Sequence, residues 1–177
     1  MNPLWYLAAL TLALGGWVVA TVVAAGAWDA VREAPVAAVN QPLDATNKSV
    51  AVFTDVLQPE RTITCEQTTE ADRKAKKEPR PIPAASLELA VIDDGNEWHL
   101  IGFEPDGRGD MDISCSPADK RSDNATYAFS TVEGFTDRAN TGNGIAIIAT
   151  ALGIGLAIWT FIARRRRLHQ ETDDASA

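Results

Sequence analysis

Two long stretches without a charged residue limit what this chain can fold into more than any other feature of its sequence. Residues 4–28 contain no Asp, Glu, Lys or Arg, and neither do residues 143–163. An α-helix rises about 1.5 Å per residue and the hydrocarbon core of a bilayer is about 30 Å thick, so about 20 apolar residues suffice to cross it. We therefore predict two transmembrane helices, at residues 4–28 and 143–163.

A run of four arginines, Arg164, Arg165, Arg166 and Arg167, follows the second apolar stretch directly. Basic residues next to a transmembrane helix are retained on the cytoplasmic side of the membrane. The arginines are the predicted topology determinant, with both termini in the cytoplasm and residues 29–142 outside. We expect residues 164–177 to form a basic cytoplasmic tail that has no fixed structure after Arg167.

The first apolar stretch has an alternative interpretation as a cleaved signal peptide. Ala25-Gly26-Ala27 matches the small-residue pattern at which signal peptides are cut. However, no Lys or Arg precedes the stretch, and it is longer than the 7–15 apolar residues typical of a signal peptide. These observations favour a retained helix, and either alternative places the following domain outside.

The segment between the two stretches is strongly acidic. Residues 29–142 carry 12 Lys and Arg side chains and 21 Asp and Glu side chains, a net charge of −9, while the whole chain has −8. A surface of this sign repels phosphate groups rather than neutralising them. The composition therefore argues against nucleic acid as a partner.

The middle segment alternates apolar and polar residues with period two, which is typical of half-buried strands. Such patterns lie near residues 50–56, 62–66, 87–91, 97–100, 111–115 and 127–131, and Asp-Gly and Ser-Pro turns separate several of them. We predict a lead-in linker at residues 29–49, a small antiparallel β-sandwich or barrel-like domain at residues 50–134, and a second linker at residues 135–142.

The chain contains two cysteines, Cys65 and Cys115. Both fall on the inferred inward faces of strands, in a domain that we expect to lie in an oxidising compartment. These positions favour one buried disulfide, with two buried free thiols as the alternative.

Metal and catalytic sites find little support in the sequence. His99 is the histidine of the middle segment, and zinc needs three or four Cys, His or carboxylate ligands. We therefore expect no cofactor and no metal ion, and we interpret His99 as an outward strand residue. Seven carboxylates are the remaining candidates for calcium binding or glycoside hydrolysis: Asp93, Asp94, Glu97, Glu104, Asp106, Asp110 and Asp112.

Five cations form a basic island within the acidic segment, namely Arg73, Lys74, Lys76, Lys77 and Arg80. The ordinary interpretation is a solvated, mobile loop between strands. The functional interpretation is a contact for an anionic partner, such as lipid headgroups or an acidic protein face.

Small residues recur at every fourth position of both apolar stretches, where they allow close approach of helices. The two sets are Gly16, Ala20 and Ala24, and Ala149, Gly153 and Ala157. Their simplest use is to pack the two helices together, and the alternatives are docking onto another membrane protein or self-association.

The layout resembles that of a group of uncharacterised actinobacterial membrane proteins with two spans and a β-rich outer domain. The matching pieces are residues 4–7 (LWYL), residues 98–102 (WHLIG), residues 127–130 (YAFS) and the four arginines. The resemblance implies a bacterial plasma membrane and carries no known activity.

These observations lead to one expected function and one alternative. We expect a membrane-anchored, extracytoplasmic binding or accessory protein of a bacterial cell envelope, without catalytic activity, whose partners are membrane lipid and an envelope or membrane protein. The alternative is an envelope enzyme that uses the carboxylates between positions 93 and 112. A transporter is disfavoured because neither apolar stretch contains an ionisable side chain of the kind that marks an ion path.

Overall fold

A computed structural model describes residues 4–38, 43–119 and 121–174. The chain divides into a helical unit, Met1–Gly26 with Arg138–Ala177, and a β unit, Ala27–Asp137. In chain order the elements are α1 (Leu4–Glu33), β1 (Ala37–Ala38), β2 (Leu43–Asp44), β3 (Lys48–Thr54), β4 (Ile63–Thr69), α2 (Glu70–Lys74), β5 (Arg80–Pro81), β6 (Ala90–Asp93), β7 (Asn96–Glu104), β8 (Asp110–Pro117), β9 (Tyr127–Glu133) and α3 (Phe135–Asp174).

Two long apolar helices flank the antiparallel β domain, as predicted. By length and composition, α1 and the part of α3 that ends at Arg166 are each long enough and apolar enough to cross a membrane. Large apolar side chains on both helices point outward, for example Trp17 on α1 and Trp159 on α3. Trp159 is 70% exposed.

Both helices are longer than the apolar stretches alone predict. α1 continues to Glu33, so residues 29–33 of the expected lead-in are helical, and Pro35 then disfavours further helix at the residue before it. α3 begins directly after Gly134, whose φ of +69° ends β9, so the expected linker at 135–142 is helical. The segment after Arg167, expected to be unstructured, continues α3 as far as Asp174, because no Pro or Gly interrupts the helix there. Residues 175–177 lie outside the described part.

The β unit contains two antiparallel sheets, with strand orders β1-β9-β3-β7-β6 and β2-β8-β4-β5. Five of the six strands predicted from alternation correspond to β3, β4, β7, β8 and β9, and the sixth, predicted at residues 87–91, overlaps β6 only at Ala90 and Val91. β1, β2 and β5 have two residues each and were not predicted. Both sheets contribute to one core, formed by Ala45, Val50, Val52, Cys65, Ile82, Met111, Ile113 and Phe129.

Strand β3 is buried on both faces, because its sequence is apolar at four consecutive positions. Val50 and Val52 belong to the core between the sheets, so Ala51 and Phe53 lie on the opposite face of their sheet. Phe103 pairs with Ala51 across β7 and β3 and shares that second face. The Trp28 ring, near the end of α1, lies 5.1 Å from the Phe103 ring.

The last two turns of α1 therefore cover this second face. Ala27 and Val31 are one helical turn apart and neither has exposed surface. Burial on this side explains why an apolar strand such as β3 does not alternate.

The predicted disulfide is confirmed. Cys65 and Cys115 are bonded, and they lie directly opposite each other in the register of β4 and β8. The bond therefore links the two central strands of the four-stranded sheet, next to the core between the sheets.

Candidate functional site

The basic island folds into a compact ion-paired segment rather than a free loop. It comprises helix α2, a turn in which Lys76 has φ +52°, and strand β5. Thr69 caps α2: its hydroxyl accepts a hydrogen bond from the Asp72 N–H at 3.1 Å and donates one to the Asp72 carboxylate at 2.8 Å. This reciprocal cap fixes α2 to the end of β4.

Four of the five cations in the basic island have carboxylate partners. Arg80 Nη2 and Lys77 Nζ lie 3.4 Å and 3.9 Å from the two carboxylate oxygens of Asp72. The remaining ion pairs are Arg73 with Asp112, and Lys74 with Glu70 at 2.7 Å. The Thr69 hydrogen bond, followed by Arg80 and Lys77, holds the pKa of Asp72 below its ordinary value.

Lys76 differs from the other four, since no ion pair within the described ranges involves it. The local carboxylates neutralise most of the charge that an anionic partner would meet. The assignment of these five residues to an anionic partner stays a prediction.

The seven carboxylates singled out in the sequence are spread over both ends of the β6–β7 hairpin and along β8. Asp93 accepts a hydrogen bond from the Val36 N–H at 3.3 Å, whereas Glu104, at the other end of β7, accepts one from Gln67 Nε2 at 2.7 Å. The nine residues of β7 span about 30 Å. Within the part of the chain that the structure describes, no three His, Cys, Asp or Glu side chains are grouped so as to hold a metal ion.

A polar network joins the loop before β4 to the loop before β9. Arg61 Nη2 donates to Asp119 Oδ1 at 2.8 Å, and Arg61 Nη1 lies 3.8 Å from Asp123 Oδ1. Gln58 Nε2 donates to the same Asp123 oxygen at 2.6 Å, and the Tyr127 hydroxyl donates to Asp123 Oδ2. These contacts clamp two loops that no sequence pattern connects.

The network shifts two pKa values. The hydrogen bond from Tyr127, followed by those from the Ala125 N–H and Gln58, lowers the pKa of Asp123 to about 2. Burial, followed by the hydrogen bond to Asp123, raises the pKa of Tyr127. Sequence reasoning missed this cluster because Gln58 and Asp123 are 65 residues apart in the chain.

Three exposed large apolar side chains lie on or near strand β6. By register, Ile92 lies on the face of the five-stranded sheet that also carries Val50 and Val52. We call Leu57, Leu87 and Ile92 the hairpin patch; their exposed fractions are 58%, 41% and 78%. Leu57 lies beside Ala90 and His99 in a groove of about 350 Å³. His99 is half-buried in this groove, opposite Thr54 in the β3–β7 register.

The small residues of the helical unit pack α1 against α3. A Cβ atom on Gly16 would approach the Ala149 Cβ to 2.0 Å, and one on Gly142 would approach the Ala20 carbonyl oxygen to 2.9 Å. Gly153 fits against Ala9 in the same way, and Trp17 Nε1 donates to Thr150 Oγ1 at 3.1 Å. The first of the three predicted uses, packing of the two helices against each other, therefore applies to Gly16, Ala20, Ala149 and Gly153. Ala157 is half-buried.

No family model, curated protein or solved structure matches this chain.

Proposed function

We propose that this chain is a membrane-anchored binding protein, held in a bilayer by α1 and α3, with the β unit on the non-cytoplasmic side. The proposal of a membrane anchor rests mainly on where the small and the large side chains lie in the helical unit. Gly16, Ala20 and Gly153 lie inside the helix pair, while Leu, Ile, Val and Trp side chains point outward. Helices surrounded by lipid pack through small residues and expose large apolar ones, since lipid is their solvent.

Two further observations support the orientation. Arg164, Arg165 and Arg166 are exposed at the end of the apolar part of α3, where basic residues favour the cytoplasmic side. The Cys65–Cys115 disulfide suits an oxidising compartment outside the cytoplasm. With the layout resemblance, this supports the plasma membrane of a bacterium as the location.

The hairpin patch supports association as the activity of the β unit. Within the described residues of Ala27–Asp137, the exposed large apolar side chains are Val56 and the three of the hairpin patch. Leu57 lies beside Ala90 of β6, two positions from Ile92, and contiguous apolar surface marks interaction sites. The enzyme alternative needs two adjacent carboxylates with different pKa values, and Asp93 and Glu104, towards opposite ends of β7, do not form such a pair.

Thiol labelling in intact cells tests the orientation. Lys76→Cys, in an exposed turn, should react with a membrane-impermeant maleimide, and Ser176→Cys should react only after permeabilisation. Labelling of Ser176→Cys, but not of Lys76→Cys, in intact cells would reverse the proposed orientation.

Site-specific photocrosslinking tests the binding role. A photoreactive amino acid at Leu57 should yield a discrete crosslinked species in living cells. The same amino acid at the exposed Thr64, in the four-stranded sheet, is the matched control and should yield none. If position 57 gives no crosslinked species, the binding proposal is wrong.

A further inference from the structure

Strand β6 forms one edge of the five-stranded sheet, and within the described residues it pairs with β7 alone. Leu100 N donates to Leu89 O at 2.9 Å, which makes this a hydrogen-bonded pair of the antiparallel ladder. Such pairs alternate, so Val91 and Asp93 bond to β7. The N–H and C=O groups of Ala90 and Ile92 therefore point away from the sheet.

Within the described residues, the edge lacks several of the features that usually prevent strand addition. Natural edge strands are protected by short length, charged side chains (above all lysine), proline, bulges or an overlying segment. β6 is short, with the four-residue sequence AVID, and its one charged residue is Asp93. It has no lysine or proline, and the irregularity in this sheet lies between β3 and β7. Ile92 is 78% exposed, and the contact with Val36 reaches only the Asp93 side chain.

The chain segment that contains β6 carries charge of one sign. Residues 82–107 contain six Asp and Glu side chains and no Lys or Arg. Glu88 and Asp94 flank the strand and Glu97 lies opposite Ile92, all three exposed. None of the ion pairs in the described part of the chain involves these three carboxylates, in contrast to those of the basic island.

We propose that β6 binds an extended peptide of a partner protein as an additional strand of the five-stranded sheet. The peptide has an apolar, β-forming centre that packs on the hairpin patch, and Lys or Arg on both sides that face Glu88 and Asp94. A second copy of this chain would bring another domain of net charge −9, so charge complementarity selects a cationic partner. This inference rests on the proposed function and specifies the chemistry of the partner.

A designed peptide tests the mode of binding. We would measure binding of fluorescein-labelled Lys-Lys-Val-Thr-Val-Thr-Val-Lys-Lys by fluorescence anisotropy to the full chain in phosphatidylcholine nanodiscs. The peptide should bind saturably, and more weakly as salt rises. Glu in place of every Lys should weaken binding at least tenfold, and so should N-methylation of all three valines, which preserves the charge but blocks ladder hydrogen bonds.

Variants at position 92 locate the site. Ile92→Pro removes an N–H that points away from β7, so the sheet keeps its ladder while the edge is blocked. It should bind the peptide at least tenfold more weakly with an unchanged thermal melting curve, and Ile92→Val should bind within twofold of the wild type. If Ile92→Pro alters the melting curve, peptide binding by Ile92→Lys is the deciding measurement. This variant keeps the backbone N–H and places a cation on the edge.

Several outcomes overturn the inference. The first is that the N-methylated peptide binds as tightly as the unmodified peptide. The second is that the Ile92→Lys variant binds the peptide as tightly as the wild type. The third is that the full chain forms a dimer that Ile92→Lys dissociates. A photocrosslink from position 57 that persists in an Ile92→Pro background would reject docking at the edge while leaving the proposed function standing. Absence of that crosslink in the wild type rejects the proposed function itself.

Discussion

The Asp123 carboxylate collects hydrogen bonds from Tyr127, the Ala125 N–H and Gln58, and each of them stabilises its charged form. Such a site makes the stability of the folded state depend on pH. Because the pKa of Asp123 is about 2 in the folded chain and lies near 3.8 as its ordinary value, its contribution is complete above about pH 4. It is lost as the pH falls towards 2.

The first prediction concerns Tyr127→Phe, which removes the largest cause of this pKa shift. The variant should unfold at a lower temperature than the wild type at pH 7, and the difference should shrink between pH 4 and pH 2. Circular dichroism melting at several pH values measures it, with Tyr6→Phe in the helical unit as the control. A difference that stays constant over this range would assign the effect to packing rather than to the Asp123 charge.

The second prediction concerns the disulfide. Replacing both Cys65 and Cys115 by Ala removes a cross-link between residues 50 positions apart, which should lower the free energy of unfolding by about 3–4 kcal/mol. Urea unfolding followed by near-ultraviolet circular dichroism measures the loss, and Thr64→Ala beside Cys65 is the control. Equal urea midpoints for the wild type and the double variant would contradict the prediction.

At the scale of elements, sequence patterns predicted what depends on neighbours along the chain and missed what depends on distant contacts. The alternation of Met111, Ile113 and Cys115 reflects one buried face, so β8 was predictable. The burial of Ala27 by the β unit was not predictable, because nothing local distinguishes it from the other alanines of α1.

Candidate sites show the same division. The five cations of the basic island are evident in the sequence, but helix α2 is too short to produce a helical period. The pairing of Arg73 with Asp112 joins residues 39 positions apart, so it could not be predicted without the β4–β8 register. The hairpin patch was missed because alternation cannot show which part of a strand's face the neighbouring sheet leaves uncovered.

The third prediction uses two adjacent glycines of α1. Gly16→Leu should lower the thermal stability of the helical unit, because its Cβ would meet the Ala149 Cβ at 2.0 Å and overpacking typically costs about 1–3 kcal/mol. Gly15→Leu is the matched control, since a Cβ there has nothing within 4 Å. Melting in detergent micelles, followed at 222 nm, should separate the two variants. Equal melting temperatures would show that this contact does not stabilise the helix pair.

At the scale of the whole molecule, charge is segregated along the chain. Two uncharged stretches enclose a segment of net charge −9, and four arginines follow the second stretch. The positive-inside effect depends on such clusters near the ends of spans. Orientation in the membrane should therefore depend on residues that contribute nothing to the β unit.

The fourth prediction follows from this segregation. Replacing Arg164, Arg165, Arg166 and Arg167 by Ser should produce a mixed orientation, in which part of the population exposes its C-terminus outside. Impermeant maleimide labelling of Ser176→Cys in intact cells should rise from background in this variant. The control is a variant in which Ser replaces Arg73, Lys74, Lys76 and Lys77. It removes four cations from the β unit and should leave labelling at background. If the arginine variant also stays at background, another feature determines the orientation.

Helix α1 passes without interruption through Ala25-Gly26-Ala27, and Ala27 is fully buried in the β unit. In the folded chain these peptide bonds lie in a helix whose next turn forms part of a core. If a signal peptidase were to cut here, cleavage would therefore compete in time with folding of the β unit. A chain that folds first protects itself from the cut, and a chain that is cut after Ala27 begins folding without one of its buried residues.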